Sequence, residues 1–215
     1  MDNPFVVYGA KGSGSVAAEA ALTLIGAPYQ VMERVTWEKA GAEAIAQINP
    51  MRQVPALALP DGQLMTESAA ILTWLADSFP AAGLAPALDD PRRPAFLRWM
   101  AFVSSQIYAL FWIRDDPGRL AETAQQDFVR DRTTDRILDC WRMMEAQITP
   151  GRFLLGEQIG VLDLYVAVVS RWGPRRKCFY EAAPRMAEVV RRVDADPRLA
   201  AFWAERFPFE GKYAD

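Results

Sequence analysis

The residues best suited to chemistry fall in two short stretches. Asn49-Pro-Met-Arg-Gln-Val-Pro-Ala-Leu57 leads through Asp61-Gly62 into Thr66-Glu-Ser-Ala-Ala-Ile-Leu72. Pro55, with no N–H and a fixed φ, stands at the entrance of the strand-like run Ala56 to Leu59, where a turn presents the N–H and C=O of Val54 outward. Glu67 and Ser68 then open a helix with Ile71, Trp74, Leu75 and Phe79 on its apolar side, and its N-terminus is free to hold an anion. A turn with free backbone groups beside such a helix start suits a small peptide-like ligand bearing a carboxylate. The other stretch is Gly9 to Ser15, a loop of three glycines and two serines that bends sharply or lies close to a ligand. The chain has no histidine. That excludes a Ser-His-Asp hydrolase and the usual zinc-water enzymes, and leaves hydroxyls, backbone dipoles and carboxylates to activate a nucleophile.

The elements that position these stretches can be read in order. Phe5 to Tyr8 is a short buried strand, and Val16 to Ile25 an apolar-faced helix ended by Gly26 and Pro28. Tyr29 to Val35 is rich in strand formers, and Trp37 to Ile48 is a weaker helix stopped by Asn49-Pro50. Asp61-Gly62 reads as a hairpin turn between the Ala56 run and Gln63 to Met65. The order β-α-β-α-β-β-α therefore implies a mixed sheet. Pro80 to Pro94, with four prolines and a glycine, marks a linker, so residues 1–80 form one domain and 92–215 an all-helical one.

In that second part Ala95 to Trp112 is apolar nearly all round and needs two burial surfaces. A long helix over Ala121 to Ile148, the apolar run Val161 to Val169, and helices near Arg185 to Val193 and Pro197 to Arg206 make five. Asp163 lies in the first turn of its apolar helix. With Gly160 as N-cap it reaches back to the Gly160 N–H, half of a capping box, with Ile159 and Leu164 as hydrophobic staple. Arg175-Arg-Lys177 reads as a solvated turn, and Ser15 as an N-cap hydroxyl.

Composition narrows the partners. The chain is 51% hydrophobic over 215 residues, and its formal charge of −3 is spread without a basic tail, so nucleic acid is not an expected partner. Met1-Asp-Asn-Pro opens no secretory signal, and no apolar run reaches the roughly 18 residues of a membrane span, which points to a cytoplasmic protein with no membrane partner. Cys140 and Cys178 have no paired spacing, so they are read as buried or half-buried thiols with no metal site.

Gly12-Ser-Gly14-Ser-Val-Ala17 also fits G-x-G-x-x-A, with Glu33 at the distance of a ribose-binding acid. Three residues intervene between strand and motif, an antiparallel hairpin follows where parallel units should, and the sheet ends before residue 80, which together weigh against a dinucleotide-binding domain. The loop also lacks the Gly-Lys-Ser/Thr ending of a P-loop.

Four anchors in order, Tyr8 with its serine loop, Asn49-Pro-x-x-Gln-Val-Pro-Ala-Leu57, Glu67-Ser68-Ala-Ala-Ile71, and Leu155-Gly156 to Asp163, make the whole chain resemble the glutathione S-transferase family. The resemblance implies an α+β fold: an N-terminal thioredoxin-like βαβαββα domain with a mixed four-stranded sheet, then an all-α domain. It implies a cis Pro55, Val54 pairing its backbone with the cysteinyl part of glutathione, and Glu67 and Ser68 on the γ-glutamyl end. Gln53, and more weakly Lys39 and Trp37, fall where the glycyl carboxylate would be met. Aligned on Tyr8, the serine of theta-like and zeta-like classes falls on Ser13 and the cysteine of the beta-like class on Gly14; Ser13, or else Ser15 one step beyond Gly14, is then the donor to the thiolate. A hydroxyl and a helix N-terminus lower a thiol's pKa without a general base. The beta-like histidine position is Tyr108, which with Phe111 and Trp112 would line the second-substrate pocket, core packing being the other role for the last two.

The resemblance thus implies a glutathione transferase using glutathione as co-substrate, no metal, and a small apolar electrophile, acting as a cytoplasmic homodimer in detoxification. The other readings are a glutathione-dependent isomerase, dehalogenase or disulfide reductase on the same fold, or a scaffold that has lost turnover.

Overall fold

The computed structural model describes residues 3–208; Met1, Asp2 and 209–215, and the readings that touch them, lie outside the described residues. Seven elements build the first part: β1 (Phe5–Gly9), α1 (Ser15–Ile25), β2 (Tyr29–Glu33), α2 (Lys39–Ala46), β3 (Ala56–Ala58), β4 (Leu64–Thr66) and α3 (Ser68–Ser78). The sheet order is β2-β1-β3-β4. β1 pairs parallel with β2 and antiparallel with β3, and β3 pairs antiparallel with β4, Leu57 lying opposite both Val7 and Met65. The mixed sheet read from the element order is therefore present, four-stranded and thioredoxin-like as the resemblance implied. Gly62, at φ 88°, makes the hairpin between β3 and β4, and Gly26, at φ 75°, ends α1 in the left-handed region that a Cβ disfavours.

The helical part comprises α4 (Arg93–Phe102), α5 (Ala109–Arg114), α6 (Gln126–Gln147), α7 (Val161–Val169), α8 (Arg176–Ala182), α9 (Pro184–Asp194) and α10 (Ala200–Arg206). α4 and α5 are one run, joined by Val103–Tyr108 wound as a π-helix, in which the Ala109 N–H donates to the carbonyl of Ser104, five residues back. The run spans 22 residues and is long and apolar enough to cross a bilayer by length and composition, contrary to the reading that no stretch came close. One face of it lies in the core, where Phe96, Trp99, Met100, Val103, Ile107 and Phe111 are buried.

α7 is buried at all nine positions and packs against α1 and α3 as well as α9, so the two parts share one apolar core. Asp163 caps it as expected, accepting from the Gly160 N–H at 2.7 Å, and its other oxygen accepts from the Leu154 N–H at 2.8 Å. Cys140 is buried and Cys178 partly buried, both as free thiols.

Two further sequence readings need correction. The basic cluster is a solvated turn only in part: Arg175 and Lys177 are exposed, but α8 begins at Arg176, which is 2% exposed and donates to Asp194 at 2.6 Å and to the Ala167 carbonyl at 2.7 Å. Its charge is matched by a carboxylate on α9, 18 residues away, which local pattern does not reveal. Second, Ser15 does not cap α1. Gly14 occupies the cap position, and the Ser15 hydroxyl points along the helix to Glu19.

Candidate functional site

The serine loop lies between β1 and α1, and its hydroxyls form a directional chain. Ser15 Oγ donates to Glu19 Oε1 at 2.6 Å, and both residues are fully buried. Glu19 is one turn into an otherwise apolar helix, so its charge requires a partner. Arg206, from the last helix, supplies it: Nε lies 2.5 Å from Glu19 Oε2, and a second nitrogen 2.5 Å from Glu33 Oε1. Glu33, the residue that would have bound a ribose, is thus used in this ion-pair chain.

A hydroxyl has one proton, and that of Ser15 is committed to the carboxylate. In the 2.9 Å contact between the two serines, Ser13 is therefore the donor. Ser13 Oγ also accepts from the N–H groups of Ala10 and Ser15, both at 3.2 Å, which fills its two acceptor positions. Its one proton, resting on Ser15 Oγ, is all that Ser13 could turn toward a ligand. It is 8% exposed, whereas Ser15 is 0% exposed.

The loop is held from both sides. The Gly12 N–H donates to the Arg206 carbonyl at 3.0 Å, and the Gly12 carbonyl accepts from Trp172 Nε1 at 2.8 Å. Two glycines are there for room: a Cβ on Gly9 would lie 2.2 Å from Ser15 Oγ, and one on Gly14 would lie 2.0 Å from the Tyr108 hydroxyl. Tyr108 thus fills the space that a side chain at position 14 would need.

The Tyr108 hydroxyl also donates to the Val54 carbonyl at 3.4 Å. Burial is the main reason its pKa is pushed up to about 12, and the Ser68 hydroxyl acts in the opposite direction. The Tyr165 hydroxyl nearby is buried with no partner at hydrogen-bonding distance, although the Ser104 and Ser68 hydroxyls are close enough to influence its ionisation; burial raises it further than Tyr108. The geometry gathers Ser13, Gly14, Val54, Ser68 and Tyr108 at one place. The Val54–Pro55 peptide is cis, as the resemblance implied.

Glu67, exposed, has φ 65° and ψ 108°, a region sparsely used by non-glycine residues, and its carbonyl accepts the first helical bond of α3 from Ile71 at 2.9 Å. Such strain of about 1–3 kcal/mol persists where surrounding structure enforces it, commonly at ligand clamps. The N–H groups in the first turn of α3 have no helical partner.

Other nominated residues stand apart or are used differently. Gln53 is half-buried, and its backbone carbonyl accepts from Asn49 Nδ2 at 3.0 Å. Lys39 is exposed and lies 3.8 Å from Glu43, and Trp37 is 62% exposed. Phe111 is buried with its ring centroid 5.1 Å from that of Trp172, whereas Trp112 is 44% exposed under the Arg119 guanidinium, so core packing holds for the first and not the second. Residue reading missed Glu19, Arg206 and Trp172. A lone carboxylate on the apolar helix Val16 to Leu24 and a tryptophan before the Gly173-Pro174 break were the available signals. Among the described residues no group of three or more His, Cys, Asp or Glu is placed to hold a metal ion.

Comparison with known proteins agrees with this architecture. Residues 16–78 match the profile of the glutathione S-transferase N-terminal domain. An uncharacterised GST-like protein of Escherichia coli K12, YncG, is 32% identical over 196 residues, covering 90% of this chain and 94% of its own length. The glutathione S-transferase GstA of Escherichia coli O157:H7 is 26% identical over 155 residues, 71% of this chain and 73% of that protein. The crystal structure of a glutathione transferase homologue from Sulfitobacter with bound glutathione superposes with a TM-score of 0.81 at 27% identity, covering 94% of this chain and 98% of the other. Alignment over nearly its full length at the first of these identities places this chain in the glutathione S-transferase family.

Proposed function

We propose that the protein is a glutathione transferase that binds glutathione on residues 1–80, holds its sulfur as thiolate at the start of α1, and presents it to a small apolar electrophile on the helices of 92–215. The observation that carries the proposal is the state of Ser13, whose acceptor positions are filled by peptide N–H groups and whose one proton, resting on Ser15 Oγ, is what it can turn toward a sulfur. Polarised in this way, the hydroxyl is a stronger donor. A thiolate beside it also meets the positive end of α1, and both effects favour the charged sulfur. Ser15 cannot share that task while its proton serves Glu19, so it becomes the residue that directs Ser13.

The rest of the ligand follows the backbone. The Val54 carbonyl and N–H pair with the cysteinyl unit, and Glu67 with Ser68 and the open N-terminus of α3 receives the γ-glutamyl end. Gln53, next to the clamp, is assigned to the glycyl carboxylate, with Lys39 too exposed to add more than a weak screened attraction. Tyr108 takes the electrophile side, with Trp172 beside it. Leu97 and Trp112, 47% and 44% exposed on the long apolar helix, favour a homodimer, in which a second copy would cover them.

Calorimetric binding of glutathione and conjugation of a chloronitroaromatic substrate test this reading. In Ser13→Ala, kcat/KM is expected to fall by about tenfold to a hundredfold, the worth of a hydrogen bond to a charged group, with little change in glutathione affinity. A fully active Ser13→Ala variant sinks the assignment of the thiolate donor. Binding without turnover in the wild type would favour the scaffold, and fast disulfide reduction without conjugation would favour the reductase.

A further inference from the structure

The Tyr108 hydroxyl meets three parts of the site, which is more than a pocket wall requires. It occupies the space beside Gly14 so closely that a Cβ there could not coexist with it. It reaches the Val54 carbonyl, at 3.4 Å, the long end of hydrogen-bonding range, so that bond is weak. The third part is the start of α3, where the Ser68 hydroxyl is close enough to influence its ionisation. Its ring is held by Tyr165 and Trp172, with centroids at 6.0 and 4.8 Å, and Trp172 is pinned by the Gly12 carbonyl. The hydroxyl proton can turn while the ring stays fixed.

Resting on the assignment of glutathione to this site, we propose that Tyr108 is a second hydrogen-bond donor to the glutathione sulfur, kept on the Val54 carbonyl until the cysteinyl amide of glutathione takes that carbonyl over. The exchange is balanced. One N–H replaces one O–H on the carbonyl oxygen, the released O–H turns to the sulfur, the thiol proton leaves to solvent, and no covalent bond between heavy atoms changes. A charged sulfur then competes well for the donor, because bonds to ionised acceptors are the stronger ones. Burial keeps the phenol protonated through the neutral range, so it donates and does not ionise in place of the thiol. The sulfur is thereby held between Ser13, on the loop, and Tyr108, on the long helix.

The test is a titration of the ultraviolet absorbance of bound glutathione thiolate in the wild type, Tyr108→Phe and Gly14→Ala, alongside calorimetric affinity. In Tyr108→Phe, which keeps the ring, the thiol should titrate about one pH unit higher, so that roughly tenfold less thiolate is present below both values, and kcat/KM should fall to match. Glutathione affinity should stay within about threefold or tighten, because phenylalanine leaves the Val54 carbonyl uncontested. Gly14→Ala, whose methyl group displaces the Tyr108 hydroxyl, should raise the titration in the same direction with the phenol still present. An unchanged titration in Tyr108→Phe with intact glutathione binding overturns the inference and leaves the transferase reading standing. Failure of the wild type to bind glutathione removes both.

Discussion

Arg206→Leu is expected to lower the unfolding free energy by about 3–5 kcal/mol, the usual cost of removing one partner from a buried ion pair. The substitution leaves the Glu19 carboxylate, fully buried, with only the Ser15 hydroxyl as partner. Arg206→Leu is chosen over Glu19→Leu because in the latter the guanidinium retains Glu33, which is partly exposed. Urea unfolding measures the loss directly, and in a chain of this size each kcal/mol corresponds to about 2–4 °C in Tm. The double variant Glu19→Leu/Arg206→Leu should recover much of the stability, since two apolar side chains can replace a buried pair at little net cost. Its Ser15 proton would have no carboxylate to serve, so conjugation should not recover with stability. A loss below about 1 kcal/mol in Arg206→Leu would show that Glu19 finds water or another partner.

Asp163→Ala is the second large expectation, a loss of about 2–5 kcal/mol at pH 7. It strands the N–H groups of Leu154 and Gly160, each worth about 1–3 kcal/mol when buried and unpaired, and removes a helix-start device. Asp163→Asn should recover only part of this, because its amide keeps one acceptor and turns a donor toward the other N–H. The carboxyl also carries a pH signature. Burial, outweighing the backbone N–H groups that pull the other way, pushes it up to about 7 from an ordinary 3.8. The folded state then holds a proton that the unfolded chain releases near pH 4. This contribution is fully present below pH 4 and is lost as pH rises through about 7, at no more than about 1.4 kcal/mol per pH unit. Urea midpoints between pH 4 and 7 should therefore decline in the wild type with a component absent from Asp163→Asn; an identical slope in both proteins would contradict it.

The legible parts of this molecule are those whose causes sit close together in the chain. Gly26 ends α1, Asp61-Gly62 turns the hairpin and Asp163 caps α7 through contacts a few residues away, so composition and spacing suffice. The same holds for the two halves of the candidate ligand clamp, Val54-Pro55 and Glu67-Ser68. What stayed hidden depends on partners far apart in sequence. Ser15 resembles an N-cap until Arg206, 187 residues from Glu19, fixes where its proton goes. Gly14 looks like a lost cysteine until Tyr108 is found in its space. Arg176 looks solvated until Asp194 faces it. Ser15 and Arg176 are buried polar groups satisfied by tertiary structure and Gly14 is a space filled by a distant helix, kinds of contact that local propensity does not encode.

The wide turn at Val103–Tyr108 has a consequence of its own. A residue in an α-helix advances the chain by about 100°, and a π turn takes in one residue more than an α turn does. Everything beyond it is therefore set back in angular phase by roughly that amount relative to an unbroken helix. Phe96 and Met100 before the turn and Phe111 after it all face the core, while Tyr108 still reaches Gly14. Were these six residues wound as ordinary α-helix, Tyr108 or its core neighbours would swing away by more than a quarter of a revolution. The direction in which the Tyr108 hydroxyl points is thus set by how six residues of the long helix are wound, Ser105 and Gln106 among them on its exposed side.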